Sequence, residues 1–423
     1  MRHHAFPDGV TREGLIDWYR ATRRRTRALF DLIQPDAYYD RPIALRNPVV
    51  FYEGHLPAFA VNTLIKLALK RDGIDERLET LFARGIDPED EAAVKNPTDL
   101  WPSRDDVQAY GARADAMIED ALGNATLERD DVPELRGGEA VFTVLEHELM
   151  HQETLLYMLH NLPYAKKRTT SAPDVDTRAA APQQRIAIPA GRATLGAARD
   201  SAFGWDNEFA RITVDVDAFS IDARNVTNGD YLEFMHATGA NAPHFWMRGD
   251  NGEWLWRGLL APVPLPLDAP VYATHDEAAA YARWKGARLP TEAEYHRAAY
   301  GSPDGDERAQ PWGDDAPDAT RGNFDFASYE PLAAGAHPRG ASAWGVLDLV
   351  GNGWEWTSTT FDAFPGFQAM PSYLPYSTDF FDGAHYVMKG ASPVTARELV
   401  RRSFRNWFRP NYPFVYATFR CVY

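Results

Sequence analysis

The sequence predicts an α+β protein of two domains, an N-terminal helical bundle followed by a C-terminal domain of mixed helix and strand. Three observations carry that expectation. Through residues 1–165 apolar side chains recur mostly at helical spacing. Residues 166–184, KKRTTSAPDVDTRAAAPQQ, are polar and Ala/Pro-rich with almost no large apolar side chain, and read as a linker. From 185 to 423 short β-like runs such as RIAIPAG and RITVDVDAFSI alternate with clusters of Gly, Asn, Pro and Trp.

Each element has its own signal. Thr11 is an N-cap with Glu13 in the first turn, where the helix dipole favours an acid; Gly14 rules out a full capping box. Leu15, Trp18, Tyr19, Leu29, Phe30 and Ile33 form the apolar face that follows. A second helix spans about Pro48 to Lys70, with Pro48 in its first turn and a kink or break expected at Pro57, just after His55. Ser103 and Asp106 open a third, with Val107, Tyr110, Met117, Ile118 and Leu122 as its buried stripe. The fourth runs from Glu139 to His160 and stops before Pro163. Four such helices with short and medium connections predict an antiparallel bundle. In the second half one helix is clear, THDEAAAYARWKG, where Thr274 and Glu277 make a capping box.

Composition narrows the function classes. Apolar residues are 45% of the 423 and aromatics 13%, so there is material for proper cores. A net charge of −16 argues against affinity for nucleic acid or an anionic membrane. No apolar stretch approaches the roughly 18 residues of a membrane span, and the Arg-rich start lacks the apolar core of a secretion signal. The single cysteine, Cys421, excludes an internal disulfide and fits a reducing compartment. The expected location is the cytoplasm.

The most informative segment is LEHELMHQETLLYMLH. His147 and His151 are four residues apart, so on a helix their imidazoles share one face and can share one ion. Neutral imidazole is a usual nitrogen ligand of iron, zinc or copper. Upstream, NPVVFYEGHLPAF sets His55 among apolar and aromatic residues, where an unpaired imidazole is costly, so His55 is the expected third ligand. HELMH also spells HExxH, the zinc-peptidase signature with Glu148 as general base. That rival lacks its further ligand: the extended motif's Gly is missing, and after Glu153 no acid occurs before Asp174. Glu153 lies about 120° round the helix from His147 and about 160° from His151, so it is expected beside the metal site and not as a ligand.

These residues resemble the sulfoxide synthases of ergothioneine and ovothiol biosynthesis. HxxxHxE (His147, His151, Glu153) and FYEGH carry the likeness in the first half. IPAGRATLG, FGWDNEF, VTNGDYLEFM, RLPTEAEYHRAAYG, WGVLDLVGNGWEWT and FRNWFRPNYPFVYATFRC carry it in the second. The resemblance implies a DinB-like four-helix bundle joined to a formylglycine-generating-enzyme-like, C-type-lectin-related domain. It implies Fe(II) on three histidines, with open positions for O2 and a sulfur or selenium substrate. The carbon acceptor would be the imidazole of hercynine, the trimethylammonium betaine of histidine. Aromatic faces suit such a cation, which makes Trp354, Trp356, Trp407 and Phe408 expected substrate contacts. Asn406 and Trp407 fall where the family contacts the imidazole and betaine, and Tyr376 falls near its catalytic tyrosine.

Departures from the family pattern concern the donor. Where members using γ-glutamylcysteine carry Asp and Arg after FRNW, this chain has Phe408 and Tyr412, neither of which can ion-pair. Where cysteine-using members have a tyrosine pair, it has LFARGIDPE, with Gly85 and Ile86 near that position. Met150 replaces a glutamine that often contacts the imidazole. The resemblance then points to the selenoneine synthase branch, with a selenosugar as donor, and keeps a cysteine-using synthase as the alternative. The formylglycine-generating reaction needs a copper-binding cysteine pair, and Cys421 is alone. A lectin-like binding protein without catalysis is the remaining alternative.

Overall fold

The computed structural model describes residues 9–83, 100–168 and 182–423. Gly85, Ile86 and most of the expected linker lie outside the described residues. The chain separates into two units that are not a single cut of the sequence. The first contains the described residues up to 168 together with 199–203 and 369–376; the second contains 182–198, 204–368 and 377–423.

In the first unit, α1 (Arg12–Phe30) starts where Thr11 accepts a hydrogen bond from Gly14 N. Helix α2 (Val49–Ala60) continues through Pro57 and does not break just after His55. Pro57 lacks the N–H that would bond Glu53 O, and the helical register changes further on, over Val61–Ala68, which is π-helical. Leu69 N closes that segment on Leu64 O at 3.0 Å. Pro48 is the N-cap and not a first-turn residue. A short α3 (Glu76–Leu81), unforeseen from the sequence, is capped by Asp75. Helix α4 (Arg104–Asn124) begins at Ser103, whose hydroxyl accepts from Asp106 N. Helix α5 (Glu139–His160) has the bounds the apolar pattern predicts. Helices α1 and α2 each pack on both α4 and α5.

A buried ionic network ties three of these helices together. Arg23 of α1 donates to Asp115 of α4 and to Glu148 of α5, each at 2.8 Å. Tyr19 donates to Asp115 at 2.8 Å and Thr26 to Glu148 at 2.5 Å. Gln152 adds donations to Thr22 O and Thr26 Oγ1, both at 3.0 Å. Every charge in the set has an oppositely charged or hydrogen-bonding partner, as burial demands.

The second unit is built from small sheets. Strands β1 (Arg185–Ile188) and β4 (Phe219–Asp222) pair antiparallel, as do β2 (Gly191–Leu195) and β3 (Ile212–Val216). Strands β5 (Trp246–Arg248), β6 (Trp254–Arg257) and β7 (Pro262–Pro264) form an antiparallel three-strand sheet. The four-strand sheet has the order β10 (Asn406–Phe408), β9 (Tyr386–Ala391), β8 (Gly353–Thr360), β11 (Ala417–Thr418), with β11 parallel to β8. Three helices accompany them where one was expected. Besides α7 (His275–Trp284), with its Thr274–Glu277 capping box, there are α6 (Asn228–Thr238) and α8 (Glu292–Tyr300). Both extra helices carry the same kind of box, Thr227 with Asp230 and Thr291 with Glu294, a signal readable in TNGD and TEAE. Ile188, Phe219, Ile221, Tyr295, Val346 and Leu349 belong to one core cluster of this unit.

Candidate metal centre

The three histidines singled out from the sequence converge. His55 on α2 and His147 and His151 on α5 each offer a ring nitrogen, and these atoms lie within 4.8 Å of one another. Among the described residues this is the group of His, Cys, Asp and Glu side chains fit to hold a metal ion; Glu153, half-buried, is outside it. Ring centroids are 4.4 Å apart for His147 and His151, 5.2 Å for His55 and His147, and 5.0 Å for His55 and His151.

Two of the rings are stacked on by aromatic neighbours. Phe59 lies flat on His147, with centroids 3.5 Å apart and planes 9° apart, and Phe51 stacks on His55 at 4.9 Å. Phe51, His55 and Phe59 are spaced by four, so one face of α2 carries phenyl, imidazole and phenyl. His55 Nδ1 lies 2.9 Å from Phe82 O. A carbonyl only accepts, so Nδ1 carries the proton and Nε2 keeps its lone pair for an ion. His147 Nε2 and His151 Nδ1 are buried without a hydrogen-bond partner, the condition a bound cation relieves.

Electrostatics agree with ligation. Burial lowers the His55 pKa to about 4, against the opposing Phe82 hydrogen bond. Burial first, then His151 and His55, holds His147 well below its ordinary value. His151 is lowered by burial, then by His55 and Arg46. All three rings are therefore neutral at pH 7, the form that binds metal. Three neutral imidazole nitrogens within 4.8 Å of one another fit a divalent first-row ion.

Glu148 is turned away from this group, into the pair with Arg23 and Thr26. It is not free to act as the base of a peptidase, although HExxH is spelled in full. The residues around the histidines include two that come from the 369–376 segment. Tyr373 meets His147 edge-on at 6.1 Å and Phe59 at 5.2 Å. Tyr376, half-buried, lies 5.7 Å from Tyr373 and donates its hydroxyl to Met150 Sδ at 3.3 Å. Tyr373, Phe59 and Phe82 were missed from sequence. The spacing by four from His55 could have found Phe59; Tyr373 has no local signal.

The remaining expected contacts belong to the second unit. Trp407, half-buried on β10, stacks on Phe361 at 4.2 Å, and Asn406 Oδ1 accepts from Trp407 N at 2.9 Å. Phe408 and Tyr412 stack on each other at 5.2 Å. Trp354 and Trp356 are 2% and 0% exposed, inside the sheet. Trp354 packs on Phe404 at 5.8 Å, and Trp356 donates Nε1 to Ala273 O at 2.9 Å. Cys421 is buried, and burial raises its pKa. None of the described helices is long and apolar enough to cross a membrane.

A helical unit with three converging imidazoles that could hold a metal, and a mixed unit of small sheets, define a two-module protein class, and sequence comparisons identify both modules. Residues 19–155 match the DinB superfamily, and residues 171–423 match the sulfatase-modifying factor enzyme 1-like domain. The chain is 33% identical over 435 residues to a hercynine oxygenase of Mycolicibacterium smegmatis, covering 95% of this chain and 96% of the relative. A hercynine oxygenase of Mycobacterium tuberculosis is 34% identical, covering 77% of this chain and 78% of its own. Ergothioneine biosynthesis protein 1 of Neurospora crassa is 28% identical across 92% of this chain and 55% of that protein. The chain belongs to the hercynine oxygenase family, and it is an oxidative enzyme.

Proposed function

We propose that the enzyme joins a chalcogen to C2 of the imidazole of hercynine in an Fe(II)- and O2-dependent reaction, with a selenosugar as donor and selenoneine as the eventual product. The observation that carries the metal reading is the convergence of three neutral imidazoles with ring nitrogens within 4.8 Å of one another, of which His147 Nε2 and His151 Nδ1 are buried without a hydrogen-bond partner. His55, His147 and His151 would hold the iron, which when bound supplies O2 activation beside the chalcogen. Phe51 and Phe59 would hold the His55 and His147 rings by stacking on them. Tyr376 would hold a proton at its phenolic oxygen, beside Met150. Asn406 and Trp407 would meet the imidazole and its betaine, the indole through cation–π attraction.

The donor assignment is supported by charge. Phe408 and Tyr412 present stacked rings where an ionic donor would need an acid and a base, and ring faces with a phenol suit a hydroxylated sugar. A synthase using cysteine is the second reading, favoured by the ergothioneine biosynthesis protein among the relatives.

The test is an anaerobic, iron-loaded preparation given hercynine with a selenosugar, cysteine or γ-glutamylcysteine separately, then O2, with products read by mass spectrometry. An adduct of hercynine with the selenosugar alone is expected. Adducts from cysteine alone would refute the selenium assignment, and no adduct from any donor would refute the reaction.

A further inference from the structure

Helix α3 is six residues long and touches the ligand-bearing helix α2 at a place that bears on the metal. Its C-cap residue is Phe82, whose carbonyl accepts from His55 Nδ1–H at 2.9 Å. The Phe82 ring, 0% exposed, lies against Gly54, the residue immediately before that ligand. A Cβ built on Gly54 would fall 2.4–2.5 Å from three atoms of the Phe82 ring. The ring has little room to yield, since Phe51 lies 6.4 Å and Trp101 6.1 Å from it, centroid to centroid. Gly54 has an ordinary helical role in α2 and no positive φ, so close approach, and not backbone freedom, is what requires glycine here.

Helix α3 is also clipped, through Glu79, to the π-helical segment that follows α2. Glu79, 1% exposed, accepts from Ile74 N at 2.6 Å, Asp75 N at 3.0 Å and Lys66 Nζ at 3.1 Å. Asn62 donates to Glu79 O at 3.1 Å. Asn62 and Lys66 both belong to Val61–Ala68, so the π turns present two side chains to α3. The connections form one path: π segment, Glu79, α3, Phe82 carbonyl, His55.

We infer that Gly54 and the Phe82 carbonyl are positioning elements of the metal centre: α3, seated by Gly54 and clipped by Glu79, selects the His55 tautomer that leaves Nε2 free to ligate. The inference rests on the metal-centre reading for its consequence, though the tautomer itself exists without metal. A hydrogen bond from the far nitrogen of a ligating histidine fixes ring orientation, and its loss typically lowers metal affinity by about 10–100-fold.

Two measurements on the full chain test this. The first is long-range 1H–15N correlation on metal-free protein with 15N-labelled histidine, at neutral pH. His55, assigned by its loss in His55→Ala, is expected as the Nδ1–H tautomer; an Nε2–H ring overturns the inference whether or not metal binds. The second is anaerobic Fe(II) affinity, by chelator competition, for wild type, Gly54→Ala, Phe82→Leu and Gly54→Ala/Phe82→Leu, with melting temperature as the control for folding. Gly54→Ala is expected to weaken Fe(II) by about 10–100-fold. Phe82→Leu keeps the carbonyl and is expected to bind close to wild type, and the double variant, with room for the new methyl, is expected to recover much of the loss. Folded Gly54→Ala with unchanged Fe(II) affinity overturns the inference. If Gly54→Ala does not fold, the tautomer decides. Wild type that binds no Fe(II) would count against the metal-centre reading and leave the tautomer result standing.

Discussion

Arg23→Met is the perturbation with the most definite structural consequence. The Arg23 and Glu148 side chains are 7% and 5% exposed, and the Asp115 side chain is 12% exposed. Burial opposes the Arg23 charge, but Glu148, Tyr19 and Asp115 outweigh it and raise its pKa. At 2.8 Å an effective dielectric near 20 makes one contact worth about 6 kcal/mol before desolvation is subtracted. Removing one member of a buried pair typically costs about 3–5 kcal/mol, because the stranded charge stays desolvated. Arg23 serves two carboxylates, but Tyr19 and Arg27 remain on Asp115 and Thr26 on Glu148. The loss is therefore expected within that range and not at twice it. The assay is urea unfolding of the full chain, followed by far-ultraviolet circular dichroism, which reports the helices. Arg23→Met/Glu148→Leu, which also removes one stranded carboxylate, should recover part of the loss. A change below about 1 kcal/mol in the single variant would refute the reasoning, placing the pair with ordinary surface ion pairs.

Other outcomes follow from the same structure. His151→Ala should abolish stoichiometric Fe(II) binding in anaerobic metal analysis with helix content retained, and retention of iron would remove His151 from the ligand set. Gly351→Ala should cost at least roughly 1–3 kcal/mol in backbone strain. At φ +97° its Cβ would lie 2.8 Å from Asn323 N and O, backbone atoms that cannot turn aside, so an unchanged unfolding midpoint would be the contrary result. Burial lowers the Lys389 pKa from 10.5 to about 8, with Glu292 opposing. Between those values the unfolded chain holds a proton that the folded chain does not, so folding stability rises with pH there. Relative to Lys389→Met, the wild type should gain on the order of 3 kcal/mol from about pH 8 to 10.5. A flat difference in unfolding midpoints across that window would contradict this.

Local periodicity and capping chemistry determined much of this protein from sequence alone. The bounds of α5 follow from an apolar pattern and a downstream proline, and the starts of α1, α4 and α7 follow from Thr11, Ser103 and Thr274. The same periodicity put His147 and His151 on one face, since residues four apart are neighbours on any helix. What periodicity cannot carry is which faces meet. Only the tertiary structure brought His55 to within 4.8 Å of the pair, and only it turned Glu148 toward Arg23, 125 residues away. The effect of Pro57 was also decided beyond the local rule: the helix continued, and the irregularity moved to Val61–Ala68, where Asn62 and Lys66 clip α3. Tyr373 and Tyr376 arrive beside α5 from more than two hundred residues downstream. The His147–His151 pair was legible because a helix repeats, and the side chains packed around it were not, because they are chosen by packing between distant segments.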